Sequence, residues 1–193
     1  METTDLKVSI IGAGNMGGAI ARGLSKGTTV QASNIRVSDI SADHLQALQT
    51  FAPEISISRT NAEIIKDADI IILAVKPWLV ETVAKEIEHK IDYKKQIIVS
   101  IAAGVDFEKL SELFDTEASI FRVIPNTAID ILESVTTIAA QKATKEQQDL
   151  VLTLFAEMGK AFLVPESQLN AFMSLSSCGI AYAFRYIDRK STR

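Results

Sequence analysis

The sequence predicts an α/β fold with a doubly wound, mostly parallel sheet. Short apolar stretches alternate with amphipathic ones and the connections are short, which is typical of parallel strands joined by helical crossovers. Residues 70–75 form an unbroken, β-branched apolar run, as in a strand covered by helices on both faces. A glycine-rich turn at residues 12–17 joins the first strand to the first helix. We therefore predict a Rossmann-like domain over residues 1–165.

Composition narrows the class of protein. The 193 residues are 47% hydrophobic and carry a net charge of −4 without a block of like charges, so neither nucleic acid nor an anionic membrane is a predicted partner. No apolar run approaches the ~20 residues of a spanning helix, and the start METTDLK lacks the regions of a signal peptide. We expect a cytoplasmic protein. Cys178 is the single cysteine and the two histidines have polar neighbours, so we expect no disulfide and no metal site.

The elements follow in order along the chain. Capping-box spacing predicts helix starts at Thr60 with Glu63 and at Thr144 with Gln147, and Asp106 predicts another cap. Gly159 is predicted to stop the helix that starts at Thr144. Residues 168–187 are too apolar for a helix that faces water on all sides, so this helix should have a partner. The predicted strands are residues 6–11, 35–38, 55–58, 70–75, 96–101, 119–124, 134–140 and 161–164.

The glycine-rich turn has the form of a phosphate-binding turn. Gly12 allows a sharp bend, Gly14 lets the backbone approach a phosphate, and Gly17 lets the helix pack on the strand. An anion held there would lie at the positive end of the helix dipole. Since a strand precedes and a helix follows, we predict a dinucleotide site. Its contacts would come from Gly12, Ala13, Gly14, Asn15, Met16 and Gly17.

Asp39 ends the second predicted strand, 22 positions after Gly17. A dinucleotide fold places there the group that reads the adenosine ribose, and a carboxylate accepts hydrogen bonds from its 2′- and 3′-hydroxyls. The same carboxylate would repel a 2′-phosphate. The alternative is that Asp39 starts a turn or caps the next helix.

Other polar and small residues follow strands near the same rim, which the switch-point rule makes the predicted binding crevice. Each has a plainer interpretation. Asn61 could simply start a helix, the small residues at 102–104 could serve strand–helix packing, and Lys76 could point to solvent rather than act as a general acid. The residues concerned are Asn61, Lys76, Pro77, Ser100, Ala102, Ala103, Pro125 and Asn126.

The combined motifs resemble those of the pyrroline-5-carboxylate reductases. They are GAGNMGGAIARGL from Gly12, TNAE from Thr60, AVKP from Ala74, VSIAAGV from Val99 and RVIPNTA from Arg122. The resemblance runs from Val8 to about Tyr186. It implies hydride transfer from a reduced nicotinamide, NADPH or NADH, to the imine carbon of 1-pyrroline-5-carboxylate, giving L-proline in the last step of proline biosynthesis.

The resemblance also implies roles for the rim residues. Asn61 with Ala74, Val75, Lys76 and Pro77 would border the nicotinamide ribose. Ser100, Ala102 and Ala103 would lie along the nicotinamide. On the substrate side the candidates are Pro125, Asn126, Ser177 and Cys178. No catalytic side chain is assigned, because the cofactor supplies the hydride.

Two departures from the family pattern affect these expectations. The family often has a small hydroxyl residue for an NADPH 2′-phosphate, where this chain has Asp39, which favours NADH or dual use. The family segment SGSGPAY reads SSCGIAY at residues 176–182, and without its Gly and Pro we expect a more regular helix start. Cys178 replaces a hydroxyl residue there, and its plainer interpretation is an inert, partly buried thiol.

The tail, residues 166–193, would begin the family's helical domain, which builds a homodimer or higher homo-oligomer and supplies a substrate loop. We therefore expect this chain to bind dinucleotide but to turn over pyrroline-5-carboxylate poorly. One alternative is another NAD(P)-dependent dehydrogenase of the β-hydroxyacid type, which would need a catalytic lysine on a downstream helix, where the tail offers Lys190. Others are a non-catalytic dinucleotide-sensing module and an α/β domain with structural glycines.

Overall fold

The computed structural model describes residues 5–191, without the side chains of residues 190 and 191. The first four residues, part of the expectation about a signal peptide, lie outside the described residues, as do residues 192–193 and the side chain of Lys190. Within the described range no helix combines the length and apolar composition needed to cross a bilayer.

Eight strands of the described chain form one sheet in the order β3-β2-β1-β4-β5-β6-β7-β8. Neighbouring strands are parallel except β6 and β7, which are antiparallel. The first six strands thus follow the Rossmann order, and the predicted fold class is confirmed. The strands are β1 (Val8–Ile11), β2 (Ile35–Ser38), β3 (Ser56–Ser58), β4 (Ile70–Leu73), β5 (Ile97–Ser100), β6 (Ile120–Ile124), β7 (Ser134–Gln141) and β8 (Gly159–Leu163).

Helices begin largely where the sequence places them. Asp106 accepts a hydrogen bond from the Lys109 N–H at 2.9 Å, and Thr144 forms the predicted capping box with Gln147. Both caps satisfy N–H groups that lack a partner within their helix. The α-helices are α1 (Asn15–Leu24), α2 (Ala42–Phe51), α3 (Asn61–Ile64), α4 (Val80–Ile87), α5 (Phe107–Leu113), α6 (Lys145–Ala156), α7 (Glu166–Phe172) and α8 (Cys178–Ser191).

Two local predictions are wrong. Thr60 is the N-cap of α3 but its side chain caps no N–H, and Glu63 instead accepts a hydrogen bond from the Ser58 hydroxyl at 2.7 Å. Gly159 does not stop α6, which ends at Ala156, but begins β8 with φ +134°. A Cβ at Gly159 would lie 2.1 Å from the Ser134 carbonyl oxygen, so strand pairing with β7 requires glycine there.

Each face of the sheet carries its own apolar core. Helices α1, α2 and α6 cover one face, and α3, α4, α5 and α7 cover the other. All four residues of β4 are 0% exposed, as expected for a central parallel strand. Burying one such side chain stabilises the fold by about 1.5–3 kcal/mol. The central strands are therefore stably packed, and they fix the positions of the loops at their carboxyl ends.

The link between β6 and β7 accounts for the antiparallel pair. It contains a 3₁₀ turn, Thr127–Ile131, rather than a crossover helix. Leu132 follows with a left-handed φ of +63°, and the chain returns beside β6. Pro125 and Asn126 therefore remain at the carboxyl rim of the sheet.

The tail is less regular than predicted. A π-helical turn, Met173–Ser177, separates α7 from α8. The N–H of Cys178 donates to the Met173 carbonyl five residues earlier, so the expectation of a more regular helix start is wrong. Several large apolar side chains of this tail are 62–78% exposed: Leu175, Tyr182, Phe184, Tyr186 and Ile187.

Glu157 joins the end of α6 to the loop that follows α1. Its Oε1 accepts hydrogen bonds from the Thr28 N–H at 2.6 Å, the Thr28 hydroxyl at 2.9 Å and the Thr29 N–H at 2.8 Å. Burial raises the pKa of Glu157, but the bonds from Thr28 and Thr29 outweigh burial and hold the pKa below its ordinary value of 4.5. The ionised carboxylate therefore stabilises the fold.

Glu157→Gln should lower the free energy of unfolding by about 1 kcal/mol at pH 7, since the bonds lose their charge assistance. Because the folded pKa is depressed, the wild-type advantage is present above the unfolded-state pKa and is lost as the pH falls through the folded value. Urea unfolding at pH 7 and at pH 3 measures both effects. Exposed Glu54 supplies the control, Glu54→Gln, whose free energy of unfolding should change little. An equal loss of stability in both variants would contradict a stabilising role for the bonds of Glu157 to Thr28 and Thr29.

Candidate functional site

The β1–α1 turn packs tightly against the end of β4. Gly12 has φ +106° and donates its N–H to the Ser38 carbonyl at 2.7 Å. A Cβ at Gly12 would lie 2.5 Å from the Ala74 carbonyl oxygen, and one at Gly17 would lie 1.9 Å from the Gly12 carbonyl oxygen. These two positions therefore require glycine for protein packing alone.

Gly14 differs from these two glycines. A Cβ added there would have no protein atom within 4 Å, so contacts within the described chain do not explain the glycine. Gly14 is also the N-cap of α1 and provides no side-chain cap, although the first N–H groups of a helix lack intrahelical partners. The open space and the N–H groups of the first turn fit an anionic group such as a pyrophosphate.

Asp39 contacts the same turn. Its Oδ2 accepts a hydrogen bond from the Ala13 N–H at 2.6 Å, and its Oδ1 accepts one from the Ser41 N–H at 2.7 Å. The side chain is 12% exposed, and His44 Nδ1 lies 3.5 Å from Oδ2. The turn interpretation of Asp39 is thus correct, whereas its capping role falls to Ser41, the N-cap of α2.

Asn61 is held between two elements. Its Oδ1 accepts a hydrogen bond from the Ser38 hydroxyl at 2.7 Å, and its Nδ2 donates to Glu86 Oε2 at 2.8 Å. Ser38 is fully buried at the end of β2 and Glu86 lies on α4. Asn61 therefore does more than start α3, because it connects β2 to α4 at the rim.

The segment after β4 forms the wall opposite the glycines. Ala74 donates its N–H to the Ile11 carbonyl at 2.8 Å, and Val75 is partly buried. Pro77 occupies the first turn of a 3₁₀ helix, Pro77–Leu79. Lys76 is exposed, and among the described residues no carboxylate lies within ion-pair distance of it.

The small residues at the end of β5 and after it differ in how much of their surface is exposed. Ser100 and Ala102 are 2% and 4% exposed, and the Ala102 N–H donates to the Ser100 hydroxyl oxygen at 3.4 Å. Ala103 is exposed at the rim. Of these residues, Ala103 therefore presents the most surface to a molecule in the crevice.

The substrate-side candidates fall into two groups. Pro125 and Asn126 are buried after β6, whereas Ser177 ends the π-helical turn and Cys178 begins α8. Cys178 is exposed, so the expectation of a partly buried thiol is wrong. The Asn126 side chain reaches the tail, where its Nδ2 donates to the Ser176 carbonyl at 3.0 Å.

Sequence reasoning missed four residues of this rim. Ser38 and Glu86 orient Asn61 but belong to no motif. Ile40, 84% exposed beside Asp39, and Trp78, 74% exposed beside Pro77, are large apolar side chains at the rim. Ile40 and Trp78 each follow a predicted site residue by one position, and this is the only local signal that could have identified them.

Residues 7–104 match the family described as NADP oxidoreductase coenzyme F420-dependent. The pyrroline-5-carboxylate reductase of Methanosarcina acetivorans is 37% identical over 183 residues, which cover 94% of this chain and 67% of that protein. The chain belongs to the pyrroline-5-carboxylate reductase family. It spans about two thirds of the length of its curated relatives.

Solved structures of pyrroline-5-carboxylate reductases share the fold. The Coxiella burnetii structure has a TM-score of 0.90 at 26% identity, over 96% of this chain and 69% of that chain. The Plasmodium falciparum structure, which has NADP bound, has a TM-score of 0.86 at 25% identity, over 98% of this chain and 68% of that chain. The resemblance identified from the motifs is therefore confirmed.

The contrast between Gly17 and Gly14 gives a paired test of the turn. Gly17→Ala should lower the melting temperature by several degrees, because a Cβ there overlaps backbone that cannot easily yield. Gly14→Ala should leave the melting temperature within about 1 °C, since the added methyl meets open space and φ is −64°. Thermal unfolding without ligand measures both; equal destabilisation would contradict the packing described here.

Proposed function

We propose that this protein is a pyrroline-5-carboxylate reductase that transfers hydride from NAD(P)H to the imine carbon of 1-pyrroline-5-carboxylate, giving L-proline. Membership of the family supports this proposal, as does the rim described above. The observation that carries it is Gly14, whose open approach serves no packing purpose but would admit the pyrophosphate of the dinucleotide.

The chain would hold the cofactor along the rim from the β1–α1 turn toward β5. The first N–H groups of α1 would bind the pyrophosphate, and Asp39 would stabilise the turn beside it. Asn61 and the AVKP segment would border the nicotinamide ribose, and Ala102 and Ala103 would leave room for the ring. We propose that the bonds of Asn61 to Ser38 and Glu86 fix this wall before the cofactor arrives.

When bound, the reduced nicotinamide supplies the hydride, which adds to the imine carbon of the substrate. A new C–H bond forms, the C=N double bond becomes a C–N single bond, and the nitrogen acquires its proton from solvent or from protonated substrate. The protein therefore needs no nucleophile and contributes by orienting the two reactants and excluding water. Partly buried Ser177 and exposed Cys178 would lie on the substrate side of the rim.

Asp39 would set the choice between the two cofactors. Its carboxylate is largely buried and bound to two backbone N–H groups, yet each oxygen retains acceptor capacity for a ribose hydroxyl. A 2′-phosphate nearby would meet like-charge repulsion. The exposed Ile40 next to it can pack against the adenine ring, so we propose that NADH is used at least as well as NADPH.

The activity is tested by following the oxidation of NADH and of NADPH, in parallel, with pyrroline-5-carboxylate as substrate. Turnover with proline as product supports the proposal. Cofactor binding by fluorescence without turnover, both in this chain and in the natural full-length product, would instead favour a dinucleotide-sensing module. No binding of either cofactor would mean that the glycines serve the fold alone.

Asp39→Asn tests the cofactor choice. The amide keeps the shape and one acceptor for the Ala13 N–H but removes the charge, so the ratio of kcat/KM for NADPH to that for NADH should rise about tenfold, equivalent to ~1.4 kcal/mol. Asp39→Ser provides the matched variant, because it also removes the bond to Ala13 and should weaken both cofactors. An unchanged ratio in Asp39→Asn would show that the carboxylate does not face the 2′ position.

A further inference from the structure

The side chain of Asn126 makes two hydrogen bonds inside the protein. It is 4% exposed. Its Oδ1 accepts a bond from the Ala128 N–H at 3.0 Å, and its Nδ2 donates to the Ser176 carbonyl at 3.0 Å. A side chain this deeply buried presents little surface to a substrate, although the motif places Asn126 on the substrate side of the rim.

The partner of this amide lies in the π-helical turn, Met173–Ser177. In a π turn each backbone hydrogen bond spans five residues instead of the four of an α-helix, so carbonyl groups lose their usual N–H partners. Serine hydroxyls engage two of the preceding carbonyls, since Ser174 donates to Asn170 at 2.9 Å and Ser176 donates to Phe172 at 2.8 Å. Asn126 provides the bond to this turn that comes from outside the tail.

A second anchor fixes the start of the same tail. Arg122 is 6% exposed on β6, and its Nη1 lies 2.7 Å from Glu166 Oε1 at the first turn of α7. The same carboxylate oxygen accepts the Phe107 N–H at 2.8 Å. Leu169, 1% exposed, belongs to the apolar core on that face of the sheet, so α7 is held at its start by the ion pair, at its centre by burial and at its end through the π turn.

We infer that Asn126 is a positioning residue that holds the π-helical turn against the carboxyl end of β6, and thereby places Ser177 beside the substrate. This inference rests on the proposed function for its consequence in catalysis. The holding contact itself is independent of it. In this role Asn126 acts through the backbone carbonyl of Ser176 rather than by binding the substrate or the cofactor itself.

The inference is tested with Asn126→Asp, which keeps the acceptor for Ala128 but replaces the donor to Ser176 with an oxygen. Hydrogen exchange of the amides in residues 173–177 should become about five- to tenfold faster, the equivalent of one lost hydrogen bond. In the turnover assay kcat should fall about 10- to 100-fold, as expected when a reacting group is misplaced. The dissociation constant for NADH should stay unchanged, because the β1–α1 turn is untouched.

Ser119→Ala is the matched control. Ser119 is 7% exposed and precedes β6 at the opposite end, where its hydroxyl lies 3.0 Å from two acceptors, the Lys142 carbonyl and Gln147 Oε1. The Ser119→Ala variant should lose buried hydrogen bonding of similar strength, but hydrogen exchange in residues 173–177 and kcat should not change. If Asn126→Asp folds poorly, Asn126→Ser is the second variant. Its smaller, neutral side chain is too short to bond to the Ser176 carbonyl, and the same measurements apply.

Unchanged exchange in residues 173–177 would overturn the inference, because Asn126 would not hold the turn. Faster exchange with an unchanged kcat would overturn it too, because the turn would not govern catalysis. A wild-type protein that reduces no pyrroline-5-carboxylate would overturn the proposed function and the catalytic consequence together. The exchange data would still decide whether Asn126 holds the turn, so the two failures are distinguishable.

Discussion

The close approach of the β1–α1 turn to the end of β4 is the constraint on which the rim depends. Gly12 and Gly17 allow the backbone of this turn to lie against Ala74, and no side chain could be added at either position without displacing backbone. The contact is possible because β1 and β4 are paired neighbours buried on both faces. The start of α1 is consequently fixed at the centre of the sheet, where the strand order reverses.

The edges of the crevice are connected to this centre by hydrogen bonds between separate elements. Asp39 binds the Ala13 N–H, and Asn61 connects Ser38 to Glu86. Each bond crosses from one element to another, so the rim is held in place by partners distant in sequence. Preorganised groups of this kind lower the cost of ordering the protein when a ligand binds.

The tail is attached to the same sheet in a different way. Arg122 and Asn126 come from β6 and the residues after it, and they engage a side chain at the start of α7 and a carbonyl of the π turn. Four large apolar side chains of α8, those of Tyr182, Phe184, Tyr186 and Ile187, are exposed, in contrast to Leu169 in α7. The part of the tail that borders the rim is therefore the part that the sheet holds.

The sequence by itself determined the fold class, because alternating apolar strands and helical stretches leave few arrangements that bury both faces of a sheet. It also identified the glycine turn, the caps at Asp106 and Thr144, and the family, since these depend on residues close together in the chain. Only the tertiary structure decided where Glu63 and Gly159 bond, why Gly12 and Gly17 differ from Gly14, and what Asp39, Asn61 and Asn126 contact. Most of these contacts join residues more than twenty positions apart, which local propensity and spacing do not encode. Glu63 is different, because its partner Ser58 is only five residues away and spacing alone favoured Thr60 instead.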